Sequence, residues 1–144
     1  MNGREANPPV AFYVYLSYDV HNPAQGQTLI FDVVKTNTYN NAYNKFTGIF
    51  SVPMSGMYVF TSSIAMNGVQ EYASYEIMRN SNVEGTFFVD AEFTDGYKYS
   101  SITVVVEVEQ ADVVFVRTGT SYKTHGSVYS RQHARSTFAG WRIQ

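Results

Sequence analysis

Arginine, tyrosine and histidine crowd the last part of this 144-residue chain. Arg117, Tyr122, Lys123, His125, Tyr129, Arg131, His133 and Arg135 all follow Asp112, the last acid, while nine of the twelve acids lie between Glu71 and Asp112. Arginine presents a planar fork of donors that grips phosphate, sulfate or carboxylate. Tyrosine adds a flat face for a sugar ring and a polar tip. The segment reads as an anion or glycan site. A second reading stays open, in which the basic strands simply pair with the acidic ones across a sheet.

Two further loops have residue types suited to binding. The Asn-rich run Asn37–Asn44 contains Tyr39, Asn40 and Asn41; asparagine gives adaptable hydrogen bonds and tyrosine a rigid contact, a pairing common in binding loops. Asparagine also favours turns for local reasons, so that role is open too. In the acidic stretch, Asp90, Glu92 and Asp95 precede Gly96, and closely spaced carboxylates at a turn suit Ca²⁺, although the spacing is not that of an EF-hand. No other cofactor is called for.

Catalytic signatures are missing. The sequence has no Gly-x-Ser-x-Gly elbow, no phosphate-cradling glycine loop ending in Lys-Ser/Thr, and no His-Glu-x-x-His. His21, His125 and His133 stand apart, without the His-x-His or His-x-x-x-His spacing of a paired metal ligand. The chain reads as a binding protein rather than an enzyme.

Composition narrows the class further. The length suits one domain, and hydrophobic residues make up 44% against 15% charged. Aromatic content is 16%, with 12 Tyr and 10 Phe, which favours pleated, half-buried strands. A formal net charge of −2 argues against nucleic acid, whose backbone needs a surplus of positive charge. No run of 18 apolar residues marks a transmembrane segment. There is no cysteine, hence no disulfide and no thiolate metal site. MNGREANPP is polar and lacks the apolar centre of a signal peptide, which suggests a cytosolic protein or a mature fragment.

The elements that must position these residues are short strands. Val10–Tyr18 alternates, with Val10, Phe12, Val14 and Leu16 on a core face and Ala11, Tyr13, Tyr15 and Ser17 on the other. The tyrosines on that second face call for cover by another subunit. Further strands are predicted over 29–34, 46–52, 57–66, 72–79, 85–93, 99–109, 113–118, 127–131 and 137–143, after a flexible lead-in over 1–9. About ten strands with turns every 8–12 residues predict an all-β, antiparallel jelly-roll sandwich over 10–144.

The order of residues from 10 to 144 also resembles the globular head domain of complement C1q. The likeness runs through Phe31-Asp32, Asn37, Tyr43, Thr47-Gly48-Ile49-Phe50, Val52-Pro53, Gly56, Tyr58 and Phe60. It continues in Ile77-Met78-Arg79-Asn80, Val104-x-Val106-x-Val108, Ala111-Asp112-Val113-Val114 and Thr137-Phe138-Ala139-Gly140-Trp141. Ala111 stands where that family usually has glycine, which leaves room for a different turn geometry. The resemblance implies structural roles for Asn37 and Tyr43, the jelly roll shared with tumour necrosis factors, and a homotrimer. It also implies Ca²⁺ near the trimer axis in some relatives, held by loop carboxylates; here Gly96-Tyr97 is followed by Lys98 and Tyr99 rather than by the further Asp some relatives carry. A standalone head of this type resembles invertebrate C1q-domain proteins. The implied function is secreted, lectin-like pattern recognition in innate immunity, with a glycan or lipopolysaccharide-type ligand. The alternative is a cytokine-like or structural trimer that binds a protein receptor.

Overall fold

Alternating burial builds the sandwich strand by strand. The computed structural model describes residues 8–68, 70–93 and 95–144, so most of the proposed lead-in, residues 1–7, lies outside the described residues. Ten strands are β1 Ala11–Tyr15, β2 Val33–Asn37, β3 Tyr43–Asn44, β4 Ile49–Ser51, β5 Gly56–Asn67, β6 Tyr72–Arg79, β7 Asn82–Asp90, β8 Tyr97–Val108, β9 Val113–Thr118 and β10 Thr137–Arg142. They form two five-stranded antiparallel sheets, ordered β2-β1-β10-β5-β8 and β3-β4-β9-β6-β7, with no helix among the described residues. The protein is an all-β jelly roll.

The core face predicted for the first strand is the observed one. Val10, Phe12, Val14 and Leu16 are buried, as are Tyr58, Phe60, Ser62 and Ile64 of β5. Rings fill the space between the sheets. Phe12 of the first sheet stacks on Phe50 of the second, with centroids 4.4 Å apart, and meets Phe138 edge-on at 4.9 Å. Gly140 of β10 leaves the room these rings occupy: a Cβ there would lie 2.5 Å from Phe60 and 2.7 Å from Phe12.

Three predicted strands differ most from the observed elements. Residues 29–34 alternate because Leu29 and Phe31 are fully buried, but they pass between the sheets, and β2 begins only at Val33. Leu29 instead donates its N–H to the Val116 carbonyl at 2.9 Å. The 46–52 strand shortens to Ile49–Ser51 because Asn44 starts a turn, its carbonyl accepting the Gly48 N–H at 2.8 Å. Gly48 has φ +78°, a region that side chains disfavour. Residues 127–131 make only isolated bridges, Val128 to Val20, Tyr129 to Ala65 and Arg131 to Ala134. Apolar alternation reports burial, and burial does not require a ladder.

The turn at Ala111 keeps a glycine-like backbone despite its side chain. Ala111 sits at φ +77°, with its N–H bonded to the Val52 carbonyl at 2.8 Å. Asp112 locks the turn, its carboxylate accepting the Glu109 N–H at 2.9 Å. An L-residue in the left-handed region costs roughly 1–2 kcal/mol, partly offset by the larger unfolded-state entropy of glycine. Ala111→Gly is therefore expected to stabilise the fold by about 0.5–1 kcal/mol. Urea unfolding checks this; an unchanged or lower midpoint would show that the turn is not strained.

Candidate functional site

The predicted binding residues of the last third sit on a long connection, residues 119–136, between β9 and β10. Almost no ladder holds it. Backbone pairs anchor it to the sheet end: His125 and Tyr72 exchange N–H···O bonds at 2.9 Å each, and Tyr129 donates its N–H to the Ala65 carbonyl at 2.8 Å. Two fully buried serines complete the attachment. Ser130 Oγ donates to the Leu16 carbonyl at 2.6 Å and accepts the Ser136 N–H at 3.1 Å. Ser136 Oγ donates to the Tyr129 carbonyl at 2.7 Å and accepts the Ala65 N–H at 3.0 Å. Their hydroxyls satisfy backbone groups that an irregular buried segment would otherwise leave unpaired.

The connection brings the predicted residues into two separate groups. In the first, Tyr122 and His125 join Tyr72 of β6 and Phe88 of β7. His125 stacks on Tyr72 at 5.3 Å, Tyr122 lies 6.0 Å from Tyr72, and Phe88 meets Tyr122 edge-on at 5.4 Å. The His125 Nδ1 is 2.7 Å from the Gln70 carbonyl, which fixes the imidazole plane. Phe88, Tyr122 and His125 are exposed, with exposed Lys123 beside them in the chain. Sheet pairing brings Phe88 of β7 to this group, directly opposite Ser74 of β6. Nothing in the linear spacing of Tyr72, Phe88 and Tyr122 announces it.

The second group surrounds Tyr129. Its ring lies 4.9 Å from Tyr97 and 6.1 Å from His133, with the Arg131 guanidinium over it at 5.1 Å. The hydrogen bond to the Tyr97 hydroxyl, followed by burial, pushes the Tyr129 phenol above its usual pKa. Arg131 is already engaged: its Nη2 is 2.8 Å from Asp19 Oδ2 and its Nε 3.3 Å from Oδ1. Arg135 lies over Tyr15 at 4.8 Å and donates to the Leu16 carbonyl at 3.2 Å. Arg117 stands apart on β9, where its Nε holds Glu76 at 2.8 Å in a directly opposed pair on β6. Lys123 makes no ion pair or cation–π contact among the described residues.

The other predicted residues lie elsewhere. Tyr39 packs against the core rather than facing outward, and its hydroxyl is buried without a partner among the described residues. Asn40 is exposed beside it on a groove of about 410 Å³. Asp90 closes β7, its carboxylate accepting the Glu92 N–H at 3.0 Å, and Asp95 lies beyond the turn. Among the described residues, no three His, Cys, Asp or Glu side chains gather where one metal ion could sit.

This architecture matches known proteins. The C1q domain family model matches residues 11–143, and the chain belongs to that family. It is similar to complement C1q tumor necrosis factor-related protein 3 of Homo sapiens, 30% identical over 134 residues that cover 93% of this chain and 51% of the relative. The Mus musculus counterpart is 31% identical over 135 residues, again 93% and 51%. The chain thus spans about half the length of these curated relatives. Among solved structures, the globular domain of zebrafish complement 1qA superposes with a TM-score of 0.70 at 14% identity, covering 94% of this chain and 98% of that one. Eiger TNF from S. frugiperda gives 0.65 at 15% identity, with 96% and 94% covered. Murine APRIL gives 0.65 at 11%, with 94% and 100%.

The Asp19–Arg131 pair ties the first inter-strand connection to the last and gives a pH-dependent test. Burial acts to raise the Asp19 pKa. The Arg131 and Ser130 hydrogen bonds and the charges of Arg131 and His21 outweigh it, leaving the carboxyl below its usual range. A carboxyl whose folded pKa is depressed stabilises the fold above its unfolded pKa, and that contribution disappears as pH falls through the folded one. Asp19→Asn is expected to lower the unfolding midpoint at neutral pH, with the gap from the parent protein closing in acid. Chemical denaturation across the acid range measures it. A gap independent of pH would show that the carboxylate charge contributes nothing.

Proposed function

We propose that this protein is a non-enzymatic, extracellular recognition module that acts as a homotrimer. It binds glycans or glycan-bearing anionic microbial ligands, such as lipopolysaccharide, through the rim at the β9–β10 connection, as a lectin of innate immunity would. The reading takes residues 10–144 as the binding domain and 1–9 as a lead-in. The single observation that carries it is the aromatic group of exposed Phe88, Tyr122 and His125 around half-buried Tyr72, with Lys123 alongside. Rings of this kind offer flat faces to a pyranose, and His125 and Lys123 add polar contacts. Arg117, Tyr129, Arg131, His133 and Arg135 take part only where a ligand competes for donors that Asp19, Glu76 and Tyr15 already occupy. Calcium through Asp90, Glu92 and Asp95 is not required by this reading.

Threefold association is supported by the outer face of the first sheet. Ala11, Trp141, Val59 and Val105 lie side by side across β1, β10, β5 and β8, and Tyr13 sits in the next row. Trp141 is 44% and Val105 62% exposed in the single chain, and contiguous apolar surface of this kind marks an interface. Three linked rims would raise weak single-site affinity by about 10²–10⁴. A specific observation favours a second reading, a trimer that binds a protein receptor: the 30% identity to a C1q tumor necrosis factor-related protein.

Two measurements test the proposal. Sedimentation at micromolar concentration is expected to show a trimer, and a lone 16.2 kDa species would contradict the assembly. Glycan and lipopolysaccharide arrays probed with that trimer, with and without chelator, are expected to give hits that weaken roughly tenfold in Tyr122→Ala. An array without hits, together with a pull-down of one membrane protein insensitive to added sugar, would favour the receptor reading.

A further inference from the structure

A groove lies away from the rim, at the edge where β2 of one sheet and β3 of the other come together. Its volume of about 410 Å³ falls in the range of roughly 300–1,000 Å³ usual for small-ligand sites. Its walls include Asn37, Asn40, Asn41, Asn44, Lys45 and Phe46.

The wall is built before any ligand arrives. Residues 39–42 form a tight turn closed by the Ala42 N–H on the Tyr39 carbonyl at 3.0 Å, with Asn40 and Asn41 at its two central positions. Asn41 has φ +65°, a conformation asparagine tolerates there. Tyr39 anchors one end of the turn by packing on the core, and the Ser51 N–H holds the Ala42 carbonyl at 2.7 Å. The Asn37 side chain bonds both backbone groups of Tyr43, at 3.3 and 3.4 Å, so its amide is used in the fold. Asn44 is used likewise, its Oδ1 accepting the Phe46 N–H at 2.8 Å. The side-chain amides of Asn40 and Asn41, by contrast, make no hydrogen bond to any described residue. Phe46 is 78% exposed with Lys45 Nζ 5.4 Å from its centroid.

The lining selects a ligand class. An apolar ligand would strip water from free amides without replacing their hydrogen bonds, at a cost in free energy. An anion would find one cation in the lining, and a metal would find no carboxylate. A polyhydroxylated ligand with one apolar face meets every feature: hydroxyls for the amides, C–H groups for the phenyl ring. We infer that the groove formed by Asn40, Asn41, Lys45 and Phe46 is a second saccharide site, which takes a neutral pyranose independently of the β9–β10 rim. This shares with the preceding section the premise that the domain reads saccharides, but it rests on different residues at another edge of the sandwich.

Amide-resolved NMR on the full chain tests it, with the methyl glycosides of glucose, galactose, mannose and N-acetylglucosamine as probes. At least one is expected to shift the Asn40, Asn41, Lys45 and Phe46 amides. Phe46→Ala should weaken that response roughly tenfold and leave any rim response unchanged. Phe46 is exposed enough for the variant to fold, and Asn40→Ala offers a second exposed position. Shifts confined to Tyr72, Tyr122 and His125 would overturn the groove site and leave the rim standing. Shifts confined to the groove, unaltered in Tyr122→Ala, would support the groove and count against the rim. Absence of any shift with all four probes would overturn the groove site, and the arrays would decide the rim separately.

Discussion

The contact between Phe12 and Phe50 sets the spacing on which the rest of the molecule depends. Phe12 lies on β1 and Phe50 on β4, one from each sheet, and their rings stack with centroids 4.4 Å apart. Phe138 closes on the same ring from β10, and Phe60 adds a tilted contact from β5 at 6.3 Å. Aromatic side chains of this size bury a large area and pack with defined geometry, so the inter-sheet distance has little freedom. Gly140 is the counterpart of this packing, because the rings take the space a side chain would need. With both sheets fixed, their ends are fixed too, and the loops are carried on a rigid frame.

That frame matters most where regular structure stops. The segment 119–136 has no strand of its own, yet Val128, Ser130 and Ser136 are fully buried within and beside it. A buried irregular chain is tolerable only when its polar groups are paired. The Ser130–Ser136–Ala65–Leu16 bonds pair backbone groups at the Tyr129 side, and the reciprocal His125–Tyr72 bonds pair them at the aromatic side, where the Thr124 hydroxyl stays buried without a partner among the described residues. Tyr122 and His125 are thereby presented against Phe88 from a fixed backbone. Little entropy would then be lost when a ligand orders them.

The fold was largely legible in the sequence because burial has a period and strands obey it. Val10, Phe12, Val14 and Leu16, or Tyr58, Phe60, Ser62 and Ile64, announce their face by alternation alone. Where the period reports burial without pairing, as at Leu29 and Phe31, the expected strand became a crossing segment. At Ala111 the absence of glycine left room for a new turn, but hydrogen bonds to the Asp112 carboxylate and the Val52 carbonyl accompany a glycine-like positive φ. The site was less legible, because pairwise register brings it together rather than spacing. Phe88 reaches Tyr122 only through the β6–β7 pairing, and Asp19 meets Arg131 across 112 residues.

Charge shows the same difficulty more sharply. In the linear sequence the last third is basic and the middle acidic, and that asymmetry suggested an anion site. Folding sets Glu76 against Arg117 and Asp19 against Arg131, so much of the excess is neutralised within the chain. At these two arginines an anionic ligand would compete with carboxylates that hold the Nε of Arg117 and both Nε and Nη2 of Arg131. A neutral or weakly charged sugar face meets no such competition at Tyr72, Phe88 and Tyr122, whose rings contact one another and, at Tyr72, His125. Under the proposed recognition role, this competition favours the aromatic rings over Arg117 and Arg131 as the contact surface, and saccharides over bare anions.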